Sequence, residues 1–389
     1  MSRVRKVVKI FRRNFLESKY GIPVFIILTY IFVAAGIILG LEIGSNEQFK
    51  NILDALWWTI VTFSTTGYGD KVPVTVSGKI FAITTILTGV GIVSFLSGTM
   101  ASIFVDRNSK ARRGLMDYKK LKNHLVICGQ KNAMLDFLRE LLRFNPEIDS
   151  GDIVIITNAE PKKIESLKED ELLKSLKFVS GDYSQEKTLQ RANVKGAKKV
   201  MVLADIMESS SISEVDSKTV MTVLTIKGIC KDVYVCAELL DKKYENYLKQ
   251  VMCDEIHFSM DYNRIILGNA SANNGITHVF YELIGHEKSK SKIVTAGIPK
   301  EFVNKTYGEL RRKYFDDEDR VIVGLLENTG TPRKMKKEAL RQAQKTANIS
   351  KLLENLQEVK EININDPVLL PLDSHKIKGN SVAIFVERM

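Results

Sequence analysis

The sequence is poor in cysteine and histidine, and neither residue is spaced as a metal centre requires. Cysteine stands at four positions, 128, 230, 236 and 253, without the C-x-x-C spacing typical of zinc and redox sites. His257, His278 and His286 are not at ligand spacing either. We therefore expect the cysteines to be reduced, buried, small apolar residues, and a transition-metal centre finds no support.

The chain also lacks the complete glycine pattern of a dinucleotide-binding turn, G-x-G-x-x-G. After an apolar run only Gly129 is present, and Lys131 and Met134 occupy the other two glycine positions. Thr157 and Asn158 replace the acid that would hold a ribose. No grouping of catalytic histidine, lysine or paired carboxylates is present, so we predict that the protein is not an enzyme. Nucleotide binding in a modified form stays open, and its candidate residues are Gly129, Gln130, Thr157, Asn158 and Asp182.

Two long apolar runs predict membrane-spanning helices. Ile22 to Leu41 carry no charge, and at about 1.5 Å per residue such a run reaches roughly 30 Å, the thickness of a bilayer's hydrocarbon core. Gly78 to Val105 form a second run, with Lys79 near its start. Between the runs lie a shorter apolar segment, Phe49–Ser64, and the loop Thr65–Asp70. The predicted order is helix, half-helix, glycine loop, helix.

The distribution of basic residues predicts the orientation in the membrane. Residues 1–20 hold seven Lys/Arg against one acid, and residues 107–122 hold another seven against one. By the positive-inside rule both termini lie in the cytoplasm of a multi-pass protein of the cell membrane. The basic tail then faces anionic headgroups, so we expect membrane lipids and no nucleic acid among the partners.

The loop at 65–70 reads Thr-Thr-Gly-Tyr-Gly-Asp. Its glycines allow backbone conformations in which successive carbonyls point the same way, and a ring of such carbonyls can replace the water shell of a potassium ion. By itself the loop is also compatible with a surface turn, because Gly-Asp is a common turn pair. Its position between two spans resembles the two-helix pore unit of potassium channels, whose filter pattern is Thr-x-Gly-Tyr-Gly.

This resemblance implies a re-entrant selectivity filter with K⁺ as the permeant ion. The filter residues are then Thr65, Thr66, Gly67, Tyr68 and Gly69. Thr66 stands where Val or Ile is commoner, which keeps the carbonyls but changes hydrogen bonding behind the filter. One pore loop cannot enclose a path, so a homotetramer is implied. Gly89 matches the hinge glycine of similar inner helices and Ser94 would face the cavity, while close helix packing through small residues explains the same positions equally well.

After residue 122, short apolar strands alternate with helical segments, which predicts a doubly wound parallel sheet. The stretches 124–130, 179–205 and 253–270 resemble the RCK (regulator of potassium conductance) domain, also called TrkA-N/TrkA-C. With the pore, the resemblance covers nearly the whole chain and is to prokaryotic RCK-gated potassium channels, calcium-gated ones included. It implies RCK–RCK dimer contacts in an octameric ring, in which ligand binding pulls on the inner helices.

The resemblance gives the chain a fold class and a set of domains. The fold class is an α-helical two-span pore domain with a re-entrant loop, a cytoplasmic α/β Rossmann-like RCK domain and a small α+β C-terminal lobe. The domains are a basic N-terminus at 1–21, the pore at 22–106, a linker at 107–122, the Rossmann-like subdomain at 123–258, a helical crossover at 259–289 and the C-terminal lobe at 290–389. The apolar residues of the crossover pack either against a partner domain or in the core of the same chain. A basic insertion at about 330–360 suits a solvated helix or a lipid or partner contact.

The regulatory ligand stays open between calcium and an adenine nucleotide (NAD, ADP or ATP). Calcium-gated members of the family use carboxylates after the fourth and fifth strands, and only Glu238 is kept at the matching places. Calcium takes about six to eight oxygen ligands, and acids nearby offer some of them. The candidate metal residues are Asp205, Glu208, Glu238 and Asp241. An alternative of another class, a non-conducting nucleotide-binding regulatory subunit, conflicts with the loop at 65–70 between two spans.

Overall fold

The computed structural model of the chain describes residues 21–207, 211–286, 288–315, 317, 319–344, 355 and 363–388. The chain divides into two units, residues 1–109 and residues 110–389. The basic N-terminus predicted at 1–21 lies outside the described residues except for its last residue. Most of the basic insertion after residue 344 lies outside them too.

The first unit consists of three apolar helices. They are α1 (Gly21–Glu42), α2 (Ile52–Phe63) and α3 (Val76–Arg112). The short helix α2 begins at a capping box in which Asn51 accepts from the backbone N–H of Asp54, and the Asp54 carboxylate accepts in return. Its Trp58 packs with Ile38 of α1 and Ala82 of α3 in the core of this unit. The half-helix that the sequence predicts before the glycine loop is therefore held between the two long helices.

Among the described residues, α1 and α3 are the two helices long and apolar enough to cross a membrane. A bilayer core needs about 20 residues, whereas α3 has 37 and continues beyond its apolar run. The polar linker predicted from residue 107 is helical as far as Arg112, because residues 107–112 contain no glycine or proline to break the helix. Gly114, with φ +66°, follows the helix end.

The second unit begins with a six-stranded parallel sheet. The strands are β1 (Leu125–Cys128), β2 (Ile153–Thr157), β3 (Lys177–Ser180), β4 (Lys199–Val202), β5 (Tyr234–Leu239) and β6 (Glu255–Phe258). They lie in the order β3-β2-β1-β4-β5-β6. The connecting helices are α4 (Met134–Phe144), α5 (Pro161–Leu167), α6 (Glu186–Arg191), α7 (Ile212–Ile229) and α8 (Glu245–Gln250). The doubly wound sheet that the sequence predicts is confirmed.

Both faces of the central strands are buried, as a parallel sheet between two helical layers requires. In β1, Val126 and Cys128 pack into one apolar cluster, whereas Leu125 and Ile127 pack into the other. This arrangement explains why the strands read as continuous apolar runs. It also brings the carboxyl ends of all six strands to one edge of the sheet.

Two helices, α9 (Ser259–Ala272) and α10 (Ile276–Leu283), connect the sheet to a C-terminal lobe. The lobe holds β7 (Ser291–Gly297), α11 (Tyr307–Lys313), β8 (Arg320–Glu327), α12 (Pro332–Ala343), β9 (Asp366–Leu369) and β10 (Val382–Arg388). Its sheet has the order β7-β10-β8-β9 and is antiparallel. A two-span helical part, a parallel α/β sheet and a small α+β lobe together confirm the predicted fold class.

Helix α12 is the described part of the basic insertion. It begins at Pro332, and proline is favoured at the first helical position. Its Met335 is 6% exposed, and the Arg333 guanidinium lies 3.0 Å from the Asp232 carboxylate in the loop before β5. This helix therefore packs on its own chain and joins the C-terminal lobe to the parallel sheet.

Candidate functional site

The loop at 65–70 follows directly on α2. Its φ angle is positive at Thr65 (+61°), Gly67 (+56°) and Gly69 (+76°), but not at Thr66 or Tyr68. When residues alternate between right-handed and left-handed backbone conformations, successive peptide groups turn to the same side of the chain. A run of residues in one of the two conformations does not have this effect. A positive φ is unfavourable for the β-branched Thr65, so contacts around the loop must hold this conformation.

The carbonyl oxygen of Val61 near the end of α2 supplies these contacts. The backbone N–H groups of Thr66 and Gly67 donate to it at 3.0 and 3.2 Å. In a trans peptide the N–H and the C=O point in opposite directions. Because both N–H groups face Val61, the carbonyls of Thr65 and Thr66 project together to the opposite side. Aligned carbonyls of this kind can replace the hydration shell of a monovalent cation.

The far end of the loop is tied to α2 as well. The indole N–H of Trp57 donates to the Asp70 carboxylate at 2.7 Å, and the rings of Trp57 and Tyr68 are stacked with centroids 5.9 Å apart. The sequence predicts Asp70 as part of the motif but assigns no role to Trp57. Its only sequence signal is an aromatic residue on the helix that precedes the loop.

In the single chain the loop is open on its other side. Every residue from Ser64 to Asp70 is exposed, and Tyr68 is 67% exposed. A cavity of about 470 Å³ lies between the loop and α3, with Thr65, Gly67 and Ile86 in its lining. A row of carbonyls exposed in this way can surround an ion only with matching rows from other chains.

A buried carboxylate that the sequence does not single out lies at the end of α1. Glu42 is fully buried. Its Oε2 accepts from the side-chain amide of Asn46 at 2.8 Å and from the Val74 N–H at 2.9 Å. Its Oε1 accepts from the Thr75 N–H at 3.1 Å and from the Thr75 hydroxyl at 2.5 Å. The carboxylate thus joins α1 to the segment between the loop and α3.

Gly89 and Ser94, predicted as hinge and cavity residues, both lie within an uninterrupted α3. Gly89 is buried, and a Cβ atom there would lie 3.3 Å from the Cα and the carbonyl oxygen of Phe63. Ser94 is exposed. The structure supplies a close-packing reason for Gly89, whereas the hinge and cavity roles stay predictions.

The candidate nucleotide residues lie at the carboxyl edge of the parallel sheet. Gly129 and Gln130 follow β1, and Gly129, with φ +90°, donates its N–H to the Ile156 carbonyl at 2.9 Å. Thr157 ends the neighbouring strand, where its hydroxyl accepts from the Ala159 N–H at 3.1 Å, and Asn158 follows it. The structure brings these four residues together at the crevice where open α/β sheets bind ligands.

Asp182 lies beyond the end of β3 and caps the turn there. It accepts from the N–H and the hydroxyl of Ser184 at 2.9 and 2.8 Å, and the Lys218 ammonium is 3.5 Å away. Burial raises the pKa of Asp182, but the Ser184 hydrogen bonds and the Lys218 charge outweigh it, so the pKa is below its usual value. These contacts account for Asp182 without a ligand.

Two buried carboxylates of the candidate metal set face the first turn of the sheet. Asp205 is 3% exposed and accepts from the Gln130 N–H at 3.1 Å. Glu238 is 6% exposed and accepts from the Ala204 N–H at 3.0 Å. The Lys131 ammonium lies 2.7 Å from the other Glu238 oxygen. Lys131, which occupies a glycine position of the dinucleotide pattern, therefore joins the turn after β1 to the end of β5.

Asp241, the third described candidate metal residue, has partners of its own next to it in the chain. Asp241 accepts from the Lys243 N–H at 3.0 Å and forms an ion pair with the Lys243 ammonium. Glu208 lies outside the described residues. Within the described part of the chain there is no group of three or more His, Cys, Asp or Glu side chains that could hold a metal. The described members of the set therefore form no three-carboxylate group, and their role as metal ligands stays a prediction.

One N–H group in the turn after β1, that of Gln130, is not free to bind a dinucleotide pyrophosphate in this conformation. Such turns bind phosphate through free backbone N–H groups at the start of a helix. Here the Gln130 N–H already donates to the Asp205 carboxylate, and a phosphate in its place would meet a second negative charge. The two carboxylates and one ammonium give this edge an excess of negative charge.

Comparison with protein families divides the chain at the same place as the fold. Residues 24–106 match the family described as ion channel. Residues 120–258 match the RCK domain of calcium-activated, slowpoke-like potassium channels. The loop with aligned carbonyls falls in the first match, and the whole parallel sheet falls in the second.

Several curated proteins resemble the chain over most of their length. The calcium-gated potassium channel TvoK of Thermoplasma volcanium is 29% identical over 263 residues, which are 64% of this chain and 71% of TvoK. The putative potassium channel protein YugO of Bacillus subtilis is 29% identical, with 60% of this chain and 68% of YugO covered. Potassium channel protein 1 of Methanocaldococcus jannaschii is 27% identical, with 70% and 76% covered. All three are named as potassium channels, YugO as a putative one.

Solved structures show a more distant likeness. The GsuK channel bound to NAD aligns with 94% of this chain at 15% identity and a TM-score of 0.46. The human SLO3 gating ring aligns with 69% of it at 16% identity and a TM-score of 0.47. The chain spans 57% of the GsuK chain and 44% of the SLO3 chain.

The two family matches occur in the order that the fold shows, and the three relatives are named as potassium channels. The predicted resemblance is therefore confirmed. The chain is a membrane protein that belongs to the potassium channels carrying a regulatory RCK domain.

Proposed function

We propose that the chain conducts potassium through a ring of backbone carbonyls that residues 65–69 of four copies supply. The observation that carries the proposal is the shared acceptor at Val61, which holds two successive N–H groups and so aims the carbonyls of Thr65 and Thr66 to one side. The exposure of the loop in a single chain supports assembly around a common axis. The basic segments at 1–20 and 107–122 support cytoplasmic termini.

Ion efflux from liposomes tests this proposal. The full chain, reconstituted in vesicles loaded with potassium and diluted into sodium, should release potassium when a proton ionophore balances the charge. Vesicles loaded with sodium and diluted into potassium should retain their sodium. Equal release of both ions would refute a potassium-selective path.

We further propose that the RCK domains pair through α9 and α10. All residues of these two helices are described, and none is buried. Ile265 and Leu267 of α9 are 60% and 72% exposed, and Val279 of α10 is 50% exposed. Beside α4 a cavity of about 800 Å³ with Phe137, Leu141 and Tyr234 in its lining leaves apolar surface uncovered. Apolar surface of this extent supports burial against a second copy, and hence the ring that the family resemblance implies.

Replacing Leu267 by glutamate should weaken ligand control while the filter still conducts. A glutamate at this position would have to bury its charge in the dimer interface, which opposes pairing. Residue 267 lies outside the unit that carries the loop, so conduction through the filter should be unaffected. Single-channel recording should show an unchanged conductance and a ligand response reduced at least about tenfold, since a buried interface charge costs roughly 2 kcal/mol or more. Asn263→Glu on the same helix is the control, and an equal response in the two variants would refute the interface.

The regulatory ligand, we propose, acts at the carboxyl edge of the parallel sheet by separating Lys131 from Glu238. The contact is short, and its carboxylate is almost fully buried. A ligand that competes for either partner therefore releases the link between the turn after β1 and the end of β5. The excess of negative charge at Asp205 and Glu238 favours a cation over an anionic nucleotide.

Replacing Lys131 by methionine distinguishes the two ligand classes. Without the ammonium, a cation that binds Glu238 no longer has to displace Lys131. The calcium concentration for half-maximal opening should therefore fall about fivefold, because a partly exposed ion pair contributes roughly 1 kcal/mol. Lys131→Arg keeps the charge and serves as the control. Open probability is measured in bilayers against calcium, ADP and NAD. An unchanged calcium response combined with a weaker nucleotide response would assign Lys131 to an anionic ligand instead.

A further inference from the structure

The start of the filter carries a second set of hydrogen bonds, which runs through side chains. The Ser64 hydroxyl donates to the Val61 carbonyl at 3.2 Å, and the hydroxyls of Ser64 and Thr66 are 2.9 Å apart. A hydroxyl has one proton, and that of Ser64 is already donated to Val61. The bond between the two hydroxyls is therefore donated by Thr66, and the order is Thr66 to Ser64 to the Val61 carbonyl.

This chain of hydroxyls ends on the same acceptor as the filter backbone. The Val61 oxygen receives the N–H groups of Thr66 and Gly67 in addition to the Ser64 hydroxyl. The Gly67 N–H belongs to the peptide whose carbonyl is that of Thr66, so this hydrogen bond fixes the direction of a filter carbonyl. At 3.2 Å, and on a shared acceptor, it is a weak restraint by itself.

Removal of the permeant ion destabilises the conformation of the peptide between Thr66 and Gly67. Carbonyl oxygens that converge on an axis repel one another once no cation lies between them. Rotation of the peptide between Thr66 and Gly67 relieves the repulsion but moves its N–H away from Val61. The hydrogen bond from the Thr66 hydroxyl to Ser64 restrains the same residue through its side chain. Because hydrogen bonds in series strengthen one another, this restraint opposes the rotation.

From this geometry we infer that Thr66 and Ser64 are positioning residues that keep the Thr66 carbonyl directed at the ion path when potassium is scarce. The inference rests on the proposed conduction through residues 65–69. Neither hydroxyl contacts the ion in this account. Their effect is on how long the filter keeps its conducting form, while the ion preference at high potassium comes from the carbonyls.

The test measures how fast conduction is lost after potassium is withdrawn. The full chain is placed in a planar bilayer, potassium is replaced by sodium on both sides, and the current is measured after potassium is restored. Thr66→Val and Ser64→Ala should each lose conduction about fivefold faster than the wild type, the factor given by one net hydrogen bond. The double variant should be no faster than the single ones, because each substitution breaks the same chain of hydroxyls.

Two further variants separate positioning from general damage. Ser64→Thr keeps a hydroxyl and should restore the slow loss of conduction. Thr84→Val removes a hydroxyl whose partner among the described residues is the Phe81 carbonyl of its own helix, and this variant should behave as the wild type. A wild type that conducts potassium but whose Thr66→Val and Ser64→Ala variants lose conduction at its own rate would overturn the inference. A wild type that conducts no potassium would overturn the proposed function itself.

Discussion

Replacement of Gly67 by alanine should abolish potassium conduction and leave the assembly intact. Gly67 has φ +56° between two residues whose φ is not positive, and a non-glycine residue in this left-handed region costs about 1–2 kcal/mol. Four filters in one ring multiply this cost to about 4–8 kcal/mol, which is enough to make the aligned form a minor species. Apart from the two neighbouring residues, no described atom lies within 4 Å of the added methyl group, so the fold of a single chain should tolerate it.

The control for this experiment is Gly40→Ala in α1. Gly40 has open space around a Cβ atom and no positive φ, so alanine there should preserve conduction and favour the helix. Efflux from liposomes reports conduction, and native mass measurement reports assembly. Wild-type efflux through the Gly67→Ala protein would contradict the filter assignment, because no other part of the account requires glycine at this position.

The second large effect is expected at Glu42, where glutamine should destabilise the pore unit by about 2–6 kcal/mol per chain. A carboxylate only accepts hydrogen bonds, and all four partners of Glu42 are donors. A glutamine side chain of the same shape turns an NH₂ group toward two of these donors. Two donors then lose their acceptor at about 1–3 kcal/mol each, and α1 is released from the segment before α3.

Thermal unfolding of the detergent-solubilised full chain measures this loss. Glu47→Gln removes an exposed acid a few residues away and should leave the unfolding temperature at the wild-type value. Glu42→Gln should lower it by several degrees. If the two variants unfold at the same temperature, the hydrogen bonds to Glu42 do not hold the two segments together.

Patterns within the sequence predict those features that depend on neighbouring residues. The two apolar runs predict α1 and α3, and the alternation of strands and helices predicts the parallel sheet, because each element buries its own periodic apolar residues. Gly67 and Gly69 predict two of the three positive φ angles in the loop. The third, at Thr65, is not predictable from a β-branched residue, because it depends on the hydrogen bonds at Val61.

Contacts between distant segments are the part that the sequence does not predict. Glu42 looks like an acid at the end of a membrane span, yet its donors at Val74 and Thr75 lie more than 30 residues away. Lys131 looks like a lost glycine of a nucleotide-binding turn, and its partner Glu238 is 107 residues away. Asp205 and Glu238 look like candidate metal ligands, but backbone N–H groups and an ammonium already occupy their oxygens. Only the folded sheet brings these groups together.

The reversal potential of the purified full chain in a planar bilayer shows whether residues 65–69 form a potassium-selective path. With potassium on one side and sodium on the other, the aligned carbonyls of residues 65–69 predict a current that reverses near the potassium equilibrium potential. A reversal potential near zero, with sodium as permeant as potassium, would show that residues 65–69 do not form a potassium filter.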